Sequence, residues 1–340
     1  MSGLGRAAVG GRRGGRAASG ASRLLAAALA ALALPPAAAF DSETWFGKRE
    51  VLDREAERLQ AAYADCAARA VAPAENVVLP VESHPDGSIK ATVSAKAAQF
   101  FLQTGFVWGT NVVVRQYATN GVVEAEVVAD RCVVDRGTKS GWVDGHARAR
   151  YLGNEVEGDG IYFSFSEEFV RISSNTVIRA KDLKFDTKVA AGKANCATGG
   201  AEVVSRRTDY DRRDGVVLFE GGVRASDSGR VLGADRLFVF LDGTNSLRRL
   251  VADGGVSIAD GLRSGSCARA AYVRSSGRVT MYGDAAPARL VEEGPRRNTV
   301  EGRRIAYWLD SDQVEIEGAS ITVDGGVSGG KAGILERLGK

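Results

Sequence analysis

Tyr210-Asp211-Arg212-Arg213-Asp214-Gly215-Val216-Val217-Leu218-Phe219-Glu220-Gly221 is answered by Tyr272-Val273-Arg274-Ser275-Ser276-Gly277-Arg278-Val279-Thr280-Met281-Tyr282-Gly283. The tyrosine and both glycines recur at a spacing of 62 residues, and a run of strand formers fills each interval. A further echo links the two halves of the chain. Ala129-Asp130-Arg131-Cys132-Val133-Val134-Asp135, followed by Gly137-Thr138-Lys139-Ser140, resembles Ala234-Asp235-Arg236-Leu237-Phe238-Val239-Phe240, followed by Asp242 and Gly243-Thr244-Asn245-Ser246. Self-similarity at a fixed period marks stacked supersecondary units, none of which buries its apolar face alone. The repeat predicts a long stack of β-hairpins whose function belongs to an extended surface or groove.

Working outward, nearly everything from Val77 reads as strand: Val112 to Val114, Ile161 to Phe165, Phe169 to Ile172, Val216 to Phe219, Leu237 to Leu241, Val279 to Tyr282, Val314 to Ile316. Asp-Gly dipeptides begin at Asp86, Asp144, Asp159, Asp214, Asp242, Asp253, Asp260 and Asp324, with Asn120-Gly121 beside them. Such pairs supply the positive φ angles of tight hairpins. Prolines avoid the strand runs, as a ladder requires. An all-β fold follows.

The amino terminus is different. Five arginines without an acid, the apolar run Leu24 to Leu34, and Pro35-Pro36-Ala37-Ala38-Ala39 have the order of a secretory signal peptide or short membrane anchor over 1–39. Without it, 40 basic residues face 42 acids, so the basic isoelectric point is no evidence for nucleic acid. Residues 40–74 hold an amphipathic helix read over about Gly47 to Val71. Leu52, Ala56, Leu59, Tyr63 and Cys66 form its apolar stripe, Arg54, Glu55, Glu57 and Arg58 face water, and capping the open end of the stack is its expected role. Dilution of the apolar pattern near Asp186 to Ala201 divides the rest into β units at 75–186 and 187–327, with a tail at 328–340. Four cysteines lack metal-ligand spacing. Cys196 and Cys267 are a candidate disulfide, and four buried thiols are the alternative.

Gly215-Val216-Val217-Leu218, Gly222-Val223-Arg224, Ala234-Asp235-Arg236-Leu237 with Val239, and Ala252 to Ile258 resemble the OstA-like domain of the LptA and LptC family of periplasmic lipopolysaccharide-transport proteins. Ala268 to Met281 and Ile305 to Trp308 continue the pattern. Gly87 to Val93, Asn111 to Val114 and Gly158 to Phe165 are similar to the LptC order. The resemblance implies two consecutive open β-jellyroll units. It further implies a lipopolysaccharide or similar lipid as ligand, an inner-membrane ABC transporter complex and an outer-membrane acceptor as partners, and a periplasmic location. Units would join through edge-strand β-augmentation. Acyl chains crossing water need cover, at about 0.8 kcal/mol per CH₂. Inward positions that would supply it are Val112, Val114, Ile161, Phe163, Phe165, Val217, Phe219, Leu237, Val239, Met281, Ile305 and Tyr307. Arg224, Arg236, Arg248 and Arg249 are candidate phosphate contacts.

Enzyme readings find little support. His84 and His146 stand in no catalytic motif, and no cofactor or metal is implied. Asp209, Asp211 and Asp214 would suit a carbohydrate-active enzyme only by converging in a cleft. The second repeat replaces them with Ala271, Val273 and Ser276, so turn chemistry accounts for them. A passive repetitive β scaffold without a lipid groove is the alternative to transport.

Overall fold

The computed structural model describes residues 42–323 apart from 152–153, 165, 181–199, 228, 243–246, 262, 294–296, 310–312 and 319. Residues 1–39, expected as a signal segment, and 328–340, expected as a tail, therefore lie outside the described residues. Among the described residues one α-helix, α1 (Ser42–Arg69), precedes nineteen antiparallel strands. None of the described helices is long and apolar enough to cross a membrane.

Seven strands run as a meander: β1 (Ala74–Ser83), β2 (Ile89–Phe101), β3 (Phe106–Tyr117), β4 (Val123–Asp135), β5 (Ser140–Tyr151), β6 (Asn154–Ser164) and β7 (Phe169–Ala180). Two short pieces, β8 (Ala201–Ser205) and β9 (Arg207–Asp211), act together as the next strand, between β7 and β10 (Val216–Asp227). Hydrogen bonding thus continues from the first half into the second. β11 (Arg230–Leu241), β12 (Leu247–Asp260) and β13 (Arg263–Val273) follow. The sheet then divides into two layers. β14 (Arg278–Tyr282), β17 (Arg304–Trp308) and β18 (Val314–Glu317) extend one; β15 (Ala288–Glu292), β16 (Asn298–Gly302) and β19 (Ser320–Val323) extend the other.

The long strands exceed the short runs read from sequence because each bends at a bulge and serves both layers. Register shifts fall at Ala129/Arg131, Val143/His146, Glu157/Asp159 and Asp253/Val256. This corrects the hairpin reading of three Asp-Gly pairs. Asp144-Gly145, Asp159-Gly160 and Asp253-Gly254 sit inside strands at these corners, with glycine φ of 92°, 65° and 80°. A bulge and a tight turn both demand positive φ, so the same dipeptide serves either. Asp86-Gly87, Asn120-Gly121, Asp214-Gly215 and Asp260-Gly261 do separate strands. The 62-residue echo is structural as well. Leu241 donates its amide to the Gly215 carbonyl at 2.8 Å, as Leu309 does to Gly277 at 3.0 Å.

The apolar stripe of α1 is where the sequence placed it: Leu52, Ala56, Leu59 and Cys66 are buried, with Tyr63 against the same cluster. Its role differs from end-capping. At about 1.5 Å per residue its 28 residues span about 42 Å. They lie across the back of the sheet, over Phe106, Val133, Trp142, Tyr162 and Phe169. At the other end Trp45 packs on Val216, Leu218 and Phe240 of the second half. Glu55 and Arg58, expected to face water, meet the sheet instead: Ser140 donates to Glu55 at 3.0 Å and Arg58 to Asp135 at 2.7 Å.

Candidate functional site

Alternation along each strand gives the sheet two unlike faces. The back carries Val133, Trp142, Tyr162, Arg171, Asp209, Leu218 and Phe238, opposed strand to strand in one row under α1. The neighbouring row points the other way. Val107, Val134, Gly141, Phe163, Val170, Tyr210, Val217, Val239, Leu250, Tyr272, Val279 and Tyr307 are opposed in succession from β3 to β17. At about 4.8 Å between strands, this lining is roughly 50 Å long. It forms the wall of one open-sided cavity of about 950 Å³ to which both halves of the chain contribute.

Nine of the twelve inward positions read from sequence line this trough: Val112, Val114, Ile161, Phe163, Val217, Phe219, Leu237, Val239 and Tyr307. Met281 and Ile305 are fully buried in a packed cluster beyond its end. Phe165 lies outside the described residues. Gly141 was not singled out, yet it makes room for the trough wall: a Cβ there would lie 2.2 Å from the Phe163 ring.

None of the four candidate phosphate arginines lines the trough. Arg236 is paired with Asp253, Arg249 lies 6.0 Å from the Phe240 ring, and Arg224 and Arg248 are exposed on their strands. Charged side chains do line its rim, where sequence reading did not look. Arg230, Arg274, Asp227 and Asp260 are among the residues lining it, with Arg230 donating to Asp260 at 3.2 Å.

The acids considered for catalysis do not converge in the trough. Asp209 and Asp211 are fully buried on the back of the sheet. Arg171 and Arg49 donate to Asp209 at 2.7 and 2.6 Å, and Lys48 donates to Asp211 at 2.7 Å. This corrects the turn-chemistry account of Asp209, whose partners arrive from α1 and β7. Burial works against the Asp209 carboxylate, but Arg171, Arg49 and Arg207 outweigh it and hold its pKa below the ordinary value. Asp214 is raised instead, by burial and then by Asp211. A cross-strand partner for His146 was invisible in sequence: its Nδ1 lies 2.9 Å from Asp159 on an exposed face.

Of the proposed disulfide pair, Cys267 is a free thiol on β13 and Cys196 lies outside the described residues. Burial pushes the Cys132 and Cys267 thiols up to about 12 and about 11. Neither is a reactive thiolate near neutrality.

These features define an all-β protein: an antiparallel trough, apolar within and charged at the rim, clasped from behind by one helix. Residues 202–324 match the family described as LptA/(LptD N-terminal domain) LPS transport protein. The family is one of transport proteins rather than enzymes. Among solved structures, the chain is similar to LptH, the LptA-homologous periplasmic component of the lipopolysaccharide transport device of Pseudomonas aeruginosa. The identity is 17%, the match covers 36% of this chain and 92% of that one, and the TM-score is 0.32. No curated protein matches.

Proposed function

We propose that the trough binds the acyl chains of lipopolysaccharide or a closely similar lipid in the periplasm, and that the chain serves within a bridge between the two membranes. The observation that carries this reading is the apolar cavity lined by both halves of the chain. Each methylene moved from water onto such a wall is favoured by about 0.8 kcal/mol, so tails are held without covalent chemistry. Phosphates of the headgroup would lie at the rim, within reach of Arg230 and Arg274, whose guanidinium groups match phosphate geometry.

Energy for movement would come from a partner ATPase, since nothing among the described residues of the trough resembles a nucleotide site. Among the described residues β1 pairs with β2 alone, leaving an edge at one end. β18 and β19 each pair with one strand at the other. Such edges suit β-augmentation by neighbouring bridge components.

The test is photo-crosslinking in cells from probes at Phe163 and Phe219, with a probe at exposed Arg249 as control. Lipopolysaccharide adducts at both phenylalanine positions and none at Arg249 are expected. Silence at both would leave a passive β scaffold as the better account.

A further inference from the structure

The two ends of the trough are built differently. At the β1 end, Leu79 and Phe100 line the cavity while 43% and 48% exposed, so the apolar floor runs out to the surface. At the other end the layers carrying β14 and β17, and β15 and β16, close on one another. Met281, Ala288, Leu290, Val300 and Ile305 meet there, at most 8% exposed. Met281 is the centre of this closure. Its side chain occupies the space left by Gly265, where a Cβ would lie 2.7 Å from the methionine Cε and 3.2 Å from its sulfur. An unbranched thioether fills an irregular gap of this kind well. Leu247, Tyr272, Val279 and Tyr307 mark the boundary, since they both line the cavity and belong to the packed cluster.

We infer that the trough is one-ended: acyl chains enter and leave at the β1 end and along the open side, and Met281 seated against Gly265 is the stopper that ends their path. This rests on the trough carrying acyl chains. It adds a polarity, because tails do not thread through the β18 and β19 end, and a lipid handed on there must leave sideways. A tail moving past the stopper would have to separate layers already in dry contact, losing dispersion contacts along the seam.

The sequence makes the test selective, because Met281 is one of two methionines and the other is Met1. The full chain would be made with photo-methionine, which keeps the shape of the side chain. Companion samples would carry benzoylphenylalanine at Phe100 or Phe219. Each is mixed with lipopolysaccharide radiolabelled in its acyl chains, illuminated and read for lipid adducts. A crosslink from Met281 to β13 or β15, seen by mass spectrometry, confirms that the probe fired. Adducts at Phe100 and Phe219 with none at Met281 are expected. An adduct at Met281, with or without one at Phe100, overturns the inference by showing tails beyond the stopper. Silence at all three positions overturns the acyl-chain reading itself. The signals at Phe100 and Phe219 tell these two failures apart.

Discussion

At the scale of the residue, the trough depends on what is missing as much as on what is present. Gly141 sits between Val134 and Phe163 in the inward row, and the Phe163 ring lies over it. Gly141→Ala forces that ring or the strand to move, an overpacking cost of about 1–3 kcal/mol. A urea melt would measure it, and adding Phe163→Leu to the alanine variant should recover most of the loss. An unchanged midpoint for the single substitution would mean that the ring has room to spare. Gly141 is legible in the sequence only as a break in β-propensity. Its reason lies on the next strand, which no local pattern names. The same holds for Asp209, which looked like one of three turn acids and is instead gripped by Arg171 and Arg49.

At the scale of the element, α1 is a clasp held by apolar packing and by ion pairs that are sensitive to acid. Burial and then Arg171 set Asp209, the Arg58 hydrogen bond and then burial set Glu55, and burial and then Arg58 set Asp135. All three end with pKa values below ordinary carboxylates. A carboxylate lowered by folding contributes stability above its unfolded pKa, about 4, and loses it as pH falls through its lowered native value. The clasp should therefore be indifferent to pH near neutrality and loosen below about pH 4. Hydrogen exchange of the α1 amides across that range would register the change. Asp209→Asn should weaken the clasp at pH 7 and flatten its acid dependence. Equal acid slopes in both proteins would remove Asp209 from the mechanism. The helix and its stripe were evident from spacing alone. Its destination was not, because both an end cap and a back clasp want one apolar face, and only the partner surface distinguishes them.

At the scale of the whole molecule, the division into β units at 75–186 and 187–327 is a proposal. β7 pairs with β8 and β9, and α1 touches both halves, so the halves share a ladder and a cover. The chain should unfold in one cooperative transition. Trp142 of the first half and Trp308 near the far end give separate fluorescence probes if the other tryptophans are changed to phenylalanine. Coincident midpoints in urea are expected. Two separated transitions would show that each unit stands alone.

What the sequence determined by itself was the class of fold, the inward set of most strands, the helix stripe and the likeness of the second half to a lipopolysaccharide-transport family. Each of these is written in short-range periodicity: two for strands, 3.6 for the helix, 62 for the repeat. Tertiary structure alone decided which Asp-Gly pairs are corners, where α1 lies, which arginines reach the rim, and that Met281 and Ile305 close the trough instead of lining it. Those features depend on which surfaces meet across the molecule. The same alternation that turns a side chain inward cannot say whether it will find open space there or the opposite layer.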